Sequence, residues 1–137
     1  MPPTGRLILL LLIGLAIPAG AQSPPPRWQL AGAFVKRDSV ALRRFLAPDV
    51  MIWPPVPDTA RRGTAAINYF VRLAMASRVS QSEFRPRQVS SDGNYLVEDG
   101  VWSFTHRRAK VRARYDLRWR NANGRWQVSF LKWELFR

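Results

Sequence analysis

An α+β fold is what this sequence predicts, on three observations. In the first half of the chain apolar residues recur at helical spacing; in the second half they alternate at period two. The alternating runs are separated by short turns rich in Gly and Asn, such as Ser91-Asp92-Gly93 and Asn121-Ala122-Asn123-Gly124. Helices first and antiparallel hairpins afterwards place the helices on one face of a curved sheet.

The chain opens with Arg6, the apolar run Leu7 to Ile17, Pro18 and then Ala19-Gly20-Ala21. A charged start, a short apolar run and an A-x-A site describe a signal peptide over 1–21, cleaved after Ala21. The run is too short for a comfortable membrane span, and no Cys follows it to carry a lipid. Residues 22–27, with Ser23-Pro24-Pro25-Pro26, read as an extended spacer, and 28–137 as one domain.

Within that domain Leu30, Ala31, Phe34 and Val35 form the stripe of a first helix. Asp38 is placed to cap a second, carrying Leu42, Phe45 and Leu46 and stopped by Pro48. Val50 to Trp53 reads as a short strand ended by Pro54-Pro55-Val56-Pro57. A third helix follows Gly63, with Thr64 as its cap and Ile67, Phe70, Val71, Ala74 and Met75 on one face. Strands are expected over about Arg85–Ser90, Asn94–Thr105, Lys110–Arg120 and Trp126–Leu135.

Composition narrows the chemistry. The chain has no Cys, hence no disulfide, thiol nucleophile or thiolate metal site, and its single His106 has no second His to share a metal. Neither a metal nor a cofactor is expected. The formal charge of +13 falls by one to +12 when Arg6 leaves with the leader. Such a surplus favours anionic partners in general, and export to a periplasmic or secreted location disfavours nucleic acid among them. Most of the basic residues between Arg108 and Arg120 alternate with Ala109, Val111, Ala113, Tyr115, Leu117 and Trp119, so the run is first a strand with one wet face. Weak, non-specific polyanion binding is the most that this stripe implies by itself.

The order α-α-β-α-β-β-β-β, with the segments APDVMIWPP, RRGTAAINYF, DGVWSF and RNANGRWQVSFLKW, resembles the nuclear transport factor 2-like superfamily, and within it the SnoaL-like and uncharacterised exported branches. The resemblance covers Trp28 to Trp133. It implies a cone-shaped half-barrel with an apolar pocket at its mouth, and a homodimer through the sheet. In the ketosteroid isomerases of this superfamily the catalytic Asp follows the first strand; counting from the Gly63-Thr64 helix start, that position is Pro54 here, which has no titratable group. The Tyr of their first helix falls near Leu30. Their second acid falls on Asp116, which parity places with Arg114 and Arg118 on the outer face.

What remains for chemistry is limited. On the Asn94–Thr105 strand, Glu98 shares its face with Leu96, Trp102 and Phe104 and would point inward, where desolvation favours a proton-accepting role. Gly100 is also a natural bulge site that would give the inward place to Asp99 instead. Glu98 or Asp99 as base, with Tyr115 or His106 as acid, is the catalytic reading. The pocket wall is expected from Trp53, Tyr69, Phe70, Trp102 and Tyr115, with Lys132 entering the mouth because it shares parity with Trp126, Val128 and Phe130. No Gly-rich phosphate loop and no nucleophile elbow is present.

The leading reading is therefore an exported small domain that binds a small, mostly apolar ligand or a partner chain without doing chemistry. A SnoaL-like cyclase, isomerase or hydratase is the first rival. A polyanion-binding module built on the basic strand is the second.

Overall fold

A computed structural model describes residues 23–136; the leader read over 1–21, its cleavage site and Arg137 lie outside the described residues. The elements are α1 (Arg27–Val35), α2 (Ser39–Phe45), β1 (Leu46–Trp53), β2 (Arg61–Arg62), α3 (Thr64–Ala76), β3 (Val79–Asp92), β4 (Tyr95–His106), β5 (Ala109–Ala122) and β6 (Arg125–Leu135). The strands form one six-stranded sheet in the order β2-β1-β6-β5-β4-β3. All neighbours are antiparallel except β1 and β6, which run parallel. The three helices cover one face, and the sheet is not closed: an α+β half-barrel.

Local chemistry accounts for most boundaries. Asp38 caps α2 as its position predicts, accepting from the Ala41 amide at 3.1 Å. Pro48 does not end α2. That helix ends at Phe45 and the chain is already extended at Leu46, so Pro48 lies within β1, where the pairing with β6 skips between Leu46 and Met51. A proline has no amide to give the ladder, which is why the skip falls there. Asp49, in the same irregular stretch, is held by the Arg120 guanidinium of β5 at 2.7 and 3.2 Å, and that contact lowers its carboxyl pKa.

The third helix departs from expectation at both ends. Gly63, at φ 64°, is the cap and Thr64 is already helical. The left-handed conformation there belongs to glycine, so the cap is a backbone device. Met75 is exposed, and the buried stripe is Ala66, Phe70, Val71 and Ala74. The prolines read as a spacer pack onto the domain instead: Pro25 is buried and the Ser23 carbonyl accepts the Trp126 indole at 2.8 Å.

Candidate functional site

The sheet face beneath the helices carries Glu98, Trp102, Ala113, Tyr115, Leu117, Trp119, Val128, Leu131 and Trp133, all buried. Gly100 does not reverse this parity. The bulge it foretells sits on the facing strand, where Pro86 pairs with Gly100 and Gln88 with Asp99, leaving Arg87 extra. Gly100 serves that bulge by lacking a side chain: a Cβ there would overlap the Arg85 carbonyl and lie 2.7 Å from the Pro86 Cα. Glu98 thus keeps the inward place and Asp99 faces outward, opposite Asp116.

Glu98 is the one buried charged residue of the described chain, with no exposed surface. Tyr115 and Trp119 flank its cross-strand partner Leu117, so all three reach the same carboxylate. The Tyr115 hydroxyl donates to Oε2 at 2.7 Å and the Trp119 indole to Oε1 at 2.8 Å. Arg27, the first residue of α1, reaches across from the helix layer and donates Nε to both oxygens, at 2.7 and 2.8 Å. Each oxygen therefore has two donors, and a carboxylate offers about four acceptor directions. Both oxygens are thus engaged within the fold. Burial first, and the bond to Glu98 second, push the Tyr115 phenol far above its ordinary range, so it too stays a neutral donor to Glu98.

This arrangement locks α1 to the sheet. A buried carboxylate whose cation is removed costs about 3–5 kcal/mol, so the ion pair is a structural clasp of the first rank. Sequence reading offered Glu98 or Asp99 for the inward place, with Tyr115 near it, and missed Arg27. The available signal was indirect: an inward carboxylate requires a buried cation, yet nothing local distinguishes Arg27 from the other arginines.

Around the clasp, aromatic rings occupy the space between sheet and helices. Trp102 stacks on Phe84 at 4.9 Å and meets Phe34, Phe104 and Trp133 at 5.3–5.6 Å; Phe70 packs on Phe34 at 5.3 Å, and Phe84 on Tyr115 at 5.1 Å. Of the six residues expected to share one pocket, Phe70, Trp102 and Tyr115 belong to this packed interior. Tyr69 turns aside, its hydroxyl donating to Asp58 at 2.9 Å, with the Arg61 guanidinium 4.0 Å above its ring.

Trp53 and Lys132 lie together on the opposite face of the sheet, the ammonium 5.2 Å from the ring centre. Lys132 does not share the face of Val128, because Ser129 is an extra residue in β6: Trp119 pairs with Val128 but Arg118 with Phe130. One bulge residue moves every later side chain to the other face. Lys132 pairs with Glu134 at 3.7 Å, the partner its spacing indicates. His106 is exposed at the end of β4, remote from Glu98. Asp116 is exposed between Arg114 and Arg118, as parity predicts.

That outer face holds an open groove of about 810 Å³, lined by Pro55, Val56, Arg114, Glu134, Leu135 and Phe136. Val56 is 91% exposed, Leu135 50% and Phe136 40%, so its apolar walls are bare. The Arg112 and Arg114 guanidiniums each stand 5.3 Å from the Phe136 ring.

Three helices on this open mixed sheet define the nuclear transport factor 2-like class. Residues 29–128 match the SnoaL-like domain, and the chain belongs to that family. Solved structures agree on the fold. A presumed calcium/calmodulin-dependent protein kinase II association domain from Xanthomonas campestris is 22% identical, with a TM-score of 0.68 over 79% of this chain and 81% of that one. A presumed ketosteroid isomerase from Parabacteroides distasonis is 16% identical, with a TM-score of 0.64 over 77% and 81%. A nuclear transport factor 2-like protein from Cytophaga hutchinsonii is 13% identical, with a TM-score of 0.62 over 78% and 89%. Among curated proteins none matches the sequence.

Proposed function

We propose that this SnoaL-like chain is an exported, non-catalytic binding domain, and that its ligand is a small molecule with an apolar body and one anionic end, held in the outer groove. The observation that carries the reading is the groove itself: bare walls from Val56, Leu135 and Phe136 converge on Arg114, the one cationic residue of its lining, with Arg112 beyond it against the Phe136 ring. Concave apolar surface with one or two placed polar groups is how small-ligand sites are built. Glu134 on the same wall disfavours a second anionic group. The rival catalytic reading needs an inward base, and Glu98 has both oxygens engaged by Arg27, Tyr115 and Trp119.

The test titrates the purified domain with dodecanoate and with dodecanol, following heat or the displacement of anilinonaphthalene sulfonate. Dodecanoate should bind one to one and more tightly than the alcohol. Arg114→Gln should weaken the acid by roughly 10- to 100-fold, the worth of one hydrogen bond to a charged group, and leave the alcohol unchanged. Leu135→Asp should abolish both. A sedimenting dimer that protects Val56, with neither compound bound, would replace this reading by self-association.

A further inference from the structure

At the end of the molecule where α1, α3 and β4 finish, three connections bring arginines together. Arg37 joins α1 to α2, Arg78 joins α3 to β3, and Arg107-Arg108 form the two-residue turn from β4 to β5. Arg37 donates to the Ser77 carbonyl at 2.7 Å, and Val79 pairs with His106, so the three connections are neighbours in space. Lys36 and Lys110 extend the group, and all six cations are exposed. None of the six forms an ion pair among the described residues. The carboxylates nearest along the chain are engaged, Asp38 in capping α2 and Glu83 with Arg85 at 3.3 Å.

The backbone here is strained in a way the rest of the sheet avoids. Arg37, Arg107 and Arg108 have φ of 55°, 50° and 69°, in the left-handed region. Such a two-residue turn favours Asn-Gly or a similar pair. The other two hairpins obey: one has Gly93 at φ 61°, the other Asn123 and Gly124 at 57° and 79°. Only the turn at this end uses two arginines, at a conformational cost that β-turn chemistry does not require. Strain held at a residue that could be relieved by a smaller one marks a position retained for its side chain.

We propose that this end of the domain binds a linear polyanion of phosphate-type groups, independently of the outer groove. The planar guanidinium fork matches tetrahedral oxyanions in bidentate geometry. A cleft of about 490 Å³ between Arg37 and Arg78, with Ser80 on its wall, has room for such groups, and Arg107 and Arg108 continue the row beyond it. A single anion would engage one arginine; an array across three connections suits a chain. Met75 and, in the first turn of α2, Val40 are the large apolar side chains exposed near these connections, which gives a bilayer little to take up. The exposed aromatic rings Trp28, Trp53 and Tyr95 lie elsewhere, and Phe136 is covered by Arg112 and Arg114 on the outer face, so no stacking platform for bases accompanies the arginine connections.

Inorganic polyphosphate, tripolyphosphate, anionic phosphatidylglycerol vesicles and single-stranded DNA, each titrated against the purified domain at several salt concentrations, form the test. Polyphosphate should bind at 0.15 M salt, ahead of the vesicles and the DNA, with a log–log salt slope of about −3 to −4, as for some five neutralised groups on a flexible chain. Replacing Arg107→Asn together with Arg108→Gly should lower polyphosphate affinity about tenfold or more while raising Tm, because the turn is relieved. The higher Tm excludes unfolding as the cause. Replacing Arg112→Gln together with Arg114→Gln on the outer face should change affinity less than about twofold. Equal loss from the two pairs, undiminished binding by the turn variant, or preference for vesicles or DNA would each overturn the proposal.

Discussion

Tyr69 illustrates how position on a helix decides what one side chain meets. It neighbours Phe70 on α3, but successive helical residues point about 100° apart, so Phe70 is buried in the core while Tyr69 packs half-buried at its margin. The Tyr69 hydroxyl instead anchors the loop after β1 through Asp58. Burial, then the bond to Asp58, push its phenol from 10.0 up to about 12. Between those values the folded chain keeps a proton that the unfolded chain releases, so this contribution to stability is full below about pH 10 and is lost as pH rises through 12. Tyrosinate absorbance should show a step near pH 12 that Tyr69→Phe removes, and the same variant should soften the fall of the urea midpoint over that interval. A step that persists in Tyr69→Phe would refute the assignment.

At the scale of the elements, two bulges decide which side chains meet. The one at Arg87 requires Gly100 on the facing strand, and the one at Ser129 carries Lys132 to the outer face. Gly100→Ala should cost about 1–3 kcal/mol, as other overpacked substitutions do, and lower the urea midpoint without changing the slope. An unchanged midpoint would mean that β3 can move away from β4. The bulge also disrupts the free edge of the sheet. β3 is the long edge strand, and Pro86, Arg87 and the charges of Glu83 and Arg85 make it a poor template for a further strand. The strands themselves were legible from their alternation. Their bulges were not, since a bulge is a property of a pair and only one of its two sequences is in view at a time.

For the whole molecule, net charge is the governing feature, and the proposed export bears on where that charge acts. Five carboxylates are paired, Asp49 with Arg120, Asp58 with Arg61, Glu83 with Arg85, Glu98 with Arg27 and Glu134 with Lys132. With only 9 acidic residues against 22 basic, the remaining cations set the outer field, which steers anionic partners at low salt. The proposed export, if it proceeds by cleavage after Ala21, predicts a mature N-terminus at Gln22, one residue before the Ser23 carbonyl that binds Trp126. Intact mass of the protein recovered outside the cytoplasm checks this. A chain still beginning at Met1 would sink the exported, soluble reading in favour of a tethered one.

Local pattern was enough for the fold class, the order of the main helices and strands, and the inward face of β5. Each of these depends on period or residue type within a short window, and such signals survive without knowing the neighbours. The tertiary structure alone decided that Arg27 neutralises Glu98, that Trp53 and Lys132 face away from Trp102, and that three separate connections gather their arginines at one end. Those are long-range events: residues 27 and 98 are 71 positions apart, and Ser129 moves Lys132 by a register that only the pairing with β5 defines. Alternation narrows the inward carboxylate to Glu98 or Asp99, but the choice between them depends on the pairing with β3, and the identity of its cation on which helix end the folded sheet brings overhead.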